Sequence, residues 1–290
     1  MAIIEDIPEN YENLRAILEI LKLEVKCFLA FYLKLANIIF GISSHSGTHA
    51  CLWCDSELQA EAGCPRTLRS LDSNYEAFKE NSSKRKDMKL FKNVINKRLV
   101  YLDHEDEELH HIVTPPELHM IMCPVNLIGY VLSSLWPEYQ TFLKSNSIIR
   151  HGYQGGGWDG ANSNKILKLL DKMELLIPPH LLPFVYCLRK FKQVVDSCFG
   201  NNLDNDFEDR ICAFKSAFLE CKDVSQSFGQ DLRLTWKVHI IFNHIVPFCK
   251  YHNSGLGMFA EQTGESIHAK FKSTYARYKR DSQHIDHGSN

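Results

Sequence analysis

No charge of one sign dominates this sequence. Its 33 Lys and Arg stand against 35 Asp and Glu, a formal net charge of −2. A global positive field is excluded as a means of holding nucleic acid, so any phosphate contact has to come from a local patch. Long apolar runs are missing too. The run Leu35 to Ile42 is far too short to cross a bilayer. Glu5, Asp6 and Glu9 interrupt the start before any apolar run, and no signal peptide is visible. The ten cysteines lack the spacing of a secreted disulfide framework. These absences point to an intracellular, reducing setting in which thiols are available to bind metal. A phosphate-binding fingerprint is also lacking. The glycine-rich stretch from His151 to Gly160 is neither a Walker loop nor a dinucleotide motif, and it reads as a turn around a close-packed Trp158.

What is present is enough apolar residue, 44% of the chain, for one large core or two ordinary ones. Leu14, Ile17, Leu18 and Leu21 recur at helical spacing over residues 9–22. Val25 to Tyr32 reads as a buried strand, and Leu33 to Ile42 returns to a helix-like period that Gly41 breaks. Residues 55–112 are polar. They hold a basic stretch, Lys84 to Arg98, and then an acidic, His-rich run, Asp103 to His111. Both read first as solvated faces, with a phosphate-contacting patch as the alternative. Pro115 and Pro116 open a long helix striped by Ile121, Val125, Ile128 and Leu132. Further helices are predicted over 162–176, 179–200 and 205–230. Another carries His239 and His244 and is ended by Pro247. The fold class expected is mixed α/β, mostly helical.

The stretch Cys51-Leu-Trp-Cys54 carries the chemistry. Two thiols three positions apart can grip one ion from a tight turn, and a closed zinc site needs two further ligands. His239 and His244, five positions apart, have the spacing of a second half-site. If Cys51, Cys54, His239 and His244 share one ion, the chain between them becomes an insertion whose ends meet. The alternative is a chance cysteine pair and two histidines packed on a helix.

The block Phe31-Tyr-Leu-Lys-Leu, the Cys51–Ser56 segment, the distant histidine pair and Glu265-Ser266 in the context Ala260-Glu-Gln-Thr-Gly-Glu-Ser resemble the V(D)J recombinase catalytic subunit and its transposon relatives in order and separation. Pro115-Pro-Glu-Leu-His119 and Gly157-Trp-Asp-Gly160 look like recurring landmarks of the same transposases. The resemblance implies a ribonuclease-H-like core broken by a helical, zinc-stapled insertion. Residues 1–48 would hold a partial core, 49–250 the insertion, and 251–290 the catalytic-glutamate helix and a basic tail. It also implies Asp-Asp-Glu carboxylates that hold Mg²⁺ ions for attack on a DNA phosphodiester, and a nuclear protein. The partners implied are DNA, a second copy of the chain or a full-length transposase relative, with no membrane.

The sequence departs from that pattern at the acids. Tyr32 stands nineteen residues before Cys51, where the second aspartate is expected, and a phenol is not a ligand that Mg²⁺ favours. Only 31 residues precede Tyr32, so the first aspartate and any amino-terminal DNA-binding domain are expected to be missing. Neither Glu24 nor Asp55 restores the motif. Glu265 alone is assigned, as a vestigial member, and the Mg²⁺ site is incomplete. The expectation is a transposase-like chain without strand-transfer or nuclease activity of its own. It would keep zinc and bind DNA through Lys270, Lys272, Arg277, Lys279 and Arg280. The alternatives are an active subunit completed by a partner, and a protein-interaction module with no nucleic-acid role.

Overall fold

The computed structural model of the protein describes residues 11–21, 29–30, 33–43, 47–81, 87–100, 105–150 and 157–259. The order is α1 (Tyr11–Leu21), β1 (Leu29–Ala30), α2 (Leu33–Ile39), α3 (Leu68–Glu80), β2 (Val113–Thr114), α4 (Glu117–Leu135), α5 (Tyr139–Ser145), α6 (Gly160–Lys168), α7 (Leu170–Leu176), α8 (Leu182–Cys198), α9 (Phe207–Ser227), α10 (Trp236–Asn243) and α11 (Ile245–His252), with short 3₁₀ turns between some of them. The described chain is mostly helical. Its sheet is one parallel pair, with Leu29 opposite Val113 and Ala30 opposite Thr114. β1 thus pairs with a strand that lies inside the 49–250 segment.

The apolar periodicity of the longer helices is realised as burial. On α4, Met120, Ile121, Val125, Ile128, Val131 and Leu132 face the core. By length and composition this helix could cross a membrane, which the sequence reading did not anticipate. Its apolar surface is spent on α6, α8 and α10, against which it packs. Gly129 makes that packing close, because a Cβ there would lie 2.4 Å from the Trp158 ring. Trp158 is fully buried, and Asn126 brackets it from α4: its Oδ1 accepts from the Trp158 N–H at 2.7 Å and its Nδ2 donates to the Trp158 carbonyl at 2.9 Å. The helix expected over 162–176 starts earlier, at Gly160, where the Asp159 side chain accepts from Asn162 N–H. It breaks at Leu169 into α6 and α7.

Helices α8 and α9 pack along each other and carry α10 on their phenyl rings. Phe191 meets Phe214 at 4.9 Å, and Phe214 and Phe218 meet Phe242 at 5.6 and 5.8 Å between centroids. This aromatic wedge fixes the face that α10 turns away from the α8–α9 pair.

Glu117, in the first turn of α4, is 8% exposed. Burial pushes its carboxyl from the ordinary 4.5 up to about 7. The folded protein therefore holds a proton that the unfolded chain releases, and stability falls as pH rises from about 4.5 to about 7. The amide groups of the helix start offset part of this by favouring the anion. Glu117→Gln is expected to match the parent near pH 4 and to exceed it by about 1–2 kcal/mol at pH 8. Urea denaturation at the two pH values checks the sign; a parent more stable than the variant at pH 8 would contradict it.

Candidate metal centre

The Cys51–Cys54 turn is buried throughout: all four of its residues are 1% exposed or less. Arg66 holds it from behind. Its Nε donates to the Cys54 carbonyl at 2.9 Å, and its Nη2 to the carbonyls of His49 and Lys92 at 3.0 and 2.9 Å. The Arg66 N–H donates to the Trp53 carbonyl, and Asp55 N–H to the Cys64 carbonyl, so residues 55–64 fold back as a tongue beside the thiols. Asp55 closes that tongue. Its Oδ1 accepts from Cys64 N–H at 2.8 Å and its Oδ2 lies 3.4 Å from Lys92 Nζ. Both contacts hold the tongue in place.

The tongue then grips α10. Asn243 Nδ2 donates to the Ala60 carbonyl at 2.9 Å. His239 Nδ1 lies 2.7 Å from the Gln59 carbonyl. A carbonyl only accepts, so Nδ1 carries the proton and Nε2 presents its lone pair inward. Trp53 braces the other imidazole. Its Nε1 donates to the Val113 carbonyl at 2.9 Å, and its ring stacks on His244 with centroids 5.9 Å apart.

The helix carrying the two histidines is not one helix. It ends at Asn243, His244 takes a non-helical φ of −118°, and α11 restarts at Ile245 with Pro247 in its first turn. Pro247 was expected to end the helix; instead it sits just inside the next one. It has no N–H for the Asn243 carbonyl, so the break falls before it. The break has a chemical consequence. In an unbroken helix, residues five apart point about 140° away from each other. Rotated at His244, both imidazoles face one point.

That point is where the thiols lie. Cys51 Sγ is 3.3 Å from His244 Nε2, Cys54 Sγ is 3.3 Å from His239 Nε2, and the two Nε2 atoms are 3.3 Å apart. All four ligand atoms lie within 4.8 Å of one another and all four residues are buried. A tetrahedral ion with bonds of about 2.0–2.3 Å to nitrogen and sulfur has ligand-to-ligand edges of about 3.3–3.8 Å. The geometry fits, and the group can hold a metal ion such as zinc. Burial and the facing Cys54 push the Cys51 thiol up, while Cys51 first, and then the neighbouring His239 and His244, hold Cys54 well below the usual thiol range. Burial pulls the Arg66 guanidinium below its ordinary value, an effect that Cys51, Cys54 and Asp55 offset only in part. With four protein ligands the site is closed, so an ion there would hold the fold together rather than act on a substrate.

The other residues singled out in the sequence are distributed differently. Tyr32, Glu265, Lys270, Lys272, Arg277, Lys279 and Arg280 lie outside the described residues, as do Lys84, Arg85 and Lys86. In the remainder of the basic stretch Lys89 and Lys97 are exposed, while its last member turns inward. Arg98 is 6% exposed, and it pairs with Asp72 and donates to the Val100 carbonyl. Arg66 went unnoticed in the sequence. A lone arginine in a polar stretch carries no signal there that it will be buried. No protein-family profile matches this chain, and no curated protein matches it.

Proposed function

We propose that this chain is a transposon-derived, transposase-like protein in which one zinc ion staples a helical insertion onto a remnant of a ribonuclease-H-like core. One observation carries the reading. Cys51 and His244, 193 residues apart, and Cys54 and His239, 185 apart, converge on one point, and the resemblance to the V(D)J recombinase catalytic subunit and its relatives implies such a split site. The long helix after Pro115-Pro116 and the buried Trp158 ahead of α6 fall on the other landmarks of that resemblance. Zinc is the ion of choice for two thiolates and two imidazoles in tetrahedral array.

The same reading makes these 290 residues inactive in DNA cleavage and strand transfer. Tyr32 stands where the second aspartate is needed, and Glu265 by itself cannot hold two Mg²⁺ ions. What it retains is binding: DNA held by Lys270, Lys272, Arg277, Lys279 and Arg280 in a nuclear protein. Two assays test this. Supercoiled plasmid with Mg²⁺ or Mn²⁺ is expected to stay uncut, and nicking that Glu265→Gln abolishes would overturn the inactive reading in favour of an enzyme completed by a partner. Duplex binding is expected to weaken with salt. Charge reversal at Lys270 and Lys272 should flatten the slope of log K against log salt by about two. Binding that is absent or indifferent to salt would leave a protein-interaction module instead.

A further inference from the structure

Of the acidic, His-rich run ahead of β2, Asp103 and His104 lie outside the described residues, Glu105 and Asp106 are exposed, and the rest turns inward. Its last residues form a 3₁₀ turn, Leu109–His111, in which Leu109 and His110 are buried. The turn is held from two sides. Leu109 N–H donates to the Arg66 carbonyl at 2.8 Å, and Glu108 bridges Thr67. On the other side Tyr251 of α11 stacks flat on His111, with centroids 3.6 Å apart, and donates its hydroxyl to Glu107 Oε1 at 2.6 Å.

The acids of the run divide by partner. Glu105 and Asp106 pair with Arg69. Glu107 and Glu108 pair with imidazoles instead: Glu108 Oε2 is 3.0 Å from His110 Nε2, and Glu107 Oε1 is 3.5 Å from His111 Nδ1. One carboxylate oxygen of Glu108 and one ring nitrogen each of His110 and His111 lie within 4.8 Å of one another. Ligands bound at about 2.0–2.2 Å to one ion stand about 2.9–3.4 Å apart, and the Glu108–His110 separation is such an edge.

We propose that Glu108, His110 and His111 form a second metal site, an open one, which takes a divalent first-row transition ion such as Zn²⁺ and binds it reversibly. Two imidazoles and one carboxylate select such an ion over Mg²⁺ or Ca²⁺, which take all-oxygen sets. The Glu108 side chain is 40% exposed, so solvent reaches the ion and completes its coordination. Glu107, itself held by Tyr251, orients His111 in the way that outer carboxylates orient metal-binding imidazoles. The site shares no ligand with the thiolate centre. The two are joined mechanically, since α11 starts beside His244 and ends beside His111.

Titration of the purified full chain with Co²⁺ separates the two ions. The first equivalent is expected to bring the intense sulfur-to-cobalt absorption of the Cys51–Cys54 centre, and a second, weaker equivalent to bind without it. The double variant Glu108→Gln, His111→Ala should lose the second equivalent and keep the sulfur band, which reports that the fold is intact. Glu108→Gln alone changes an exposed side chain and should weaken the second ion about tenfold or more. Saturation of the parent at one equivalent overturns the proposal, as does a second equivalent whose affinity Glu108→Gln leaves unchanged.

Discussion

Cys51→Ser and His239→Ala are each expected to abolish the bound zinc and to destabilise the protein by about 5 kcal/mol or more. The estimate has two sources. An ion that ties residue 54 to residue 239 closes a loop of some 185 residues, and a cross-link of that span removes about 5 kcal/mol of chain entropy from the unfolded state. Independently, zinc sites of this ligand type contribute on the order of 10–16 kcal/mol of apparent binding energy in small peptides. Both figures are comparable with the whole stability of a domain, about 5–15 kcal/mol. A chelator should therefore unfold the parent or lower its midpoint steeply, while each variant should already be low and respond little. The mutated site also leaves three polar groups facing one another in a dry core, which adds a desolvation cost. Cys64→Ser is the control, since Cys64 is exposed and outside the cluster. Metal analysis and thermal denaturation decide the matter. One equivalent of zinc retained by Cys51→Ser would sink the split site.

Trp53→Ala should cost about 3–5 kcal/mol, the range for deleting a large buried aromatic. Trp53 is 1% exposed and lies between the two thiols in sequence. Its loss opens a cavity against His244, on which it stacks, and strips the Val113 carbonyl of the indole donor. Val113 belongs to β2, so the same side chain ties the metal turn to the parallel pair. Trp53→Phe separates the two effects. It keeps an aromatic ring near His244 and loses the N–H, for an expected cost of about 1–3 kcal/mol. Urea denaturation of the metal-loaded protein measures both variants. An alanine variant within 1 kcal/mol of the parent would mean that the ion alone holds the turn.

Much of the helical content was legible from side-chain period. The stripes ahead of α4, α8 and α9 fall within a few residues of the observed helices, because an amphipathic stripe records which face will be buried. The breaks were less legible. Leu169 interrupts a continuous stripe with no glycine or proline to announce it. The fate of the polar segment 55–112 was hidden for a different reason. Arg66, Arg98 and His110 look like surface residues, and only the carbonyls and carboxylates that the fold brings to them make their burial tolerable.

The amino-acid sequence determined the ligand set by itself. Two thiols in a tight turn and two imidazoles five apart have the chemistry and the local spacing of half-sites wherever the chain takes them. The local break is also written there, in the missing N–H of Pro247. Only the tertiary structure decided that the halves share one centre. Nothing periodic connects residue 54 to residue 239; their meeting depends on phenyl rings that set α10 on α8 and α9, and on the 55–64 tongue that seals His239. Long-range convergence of this kind is settled by packing, which no local pattern encodes.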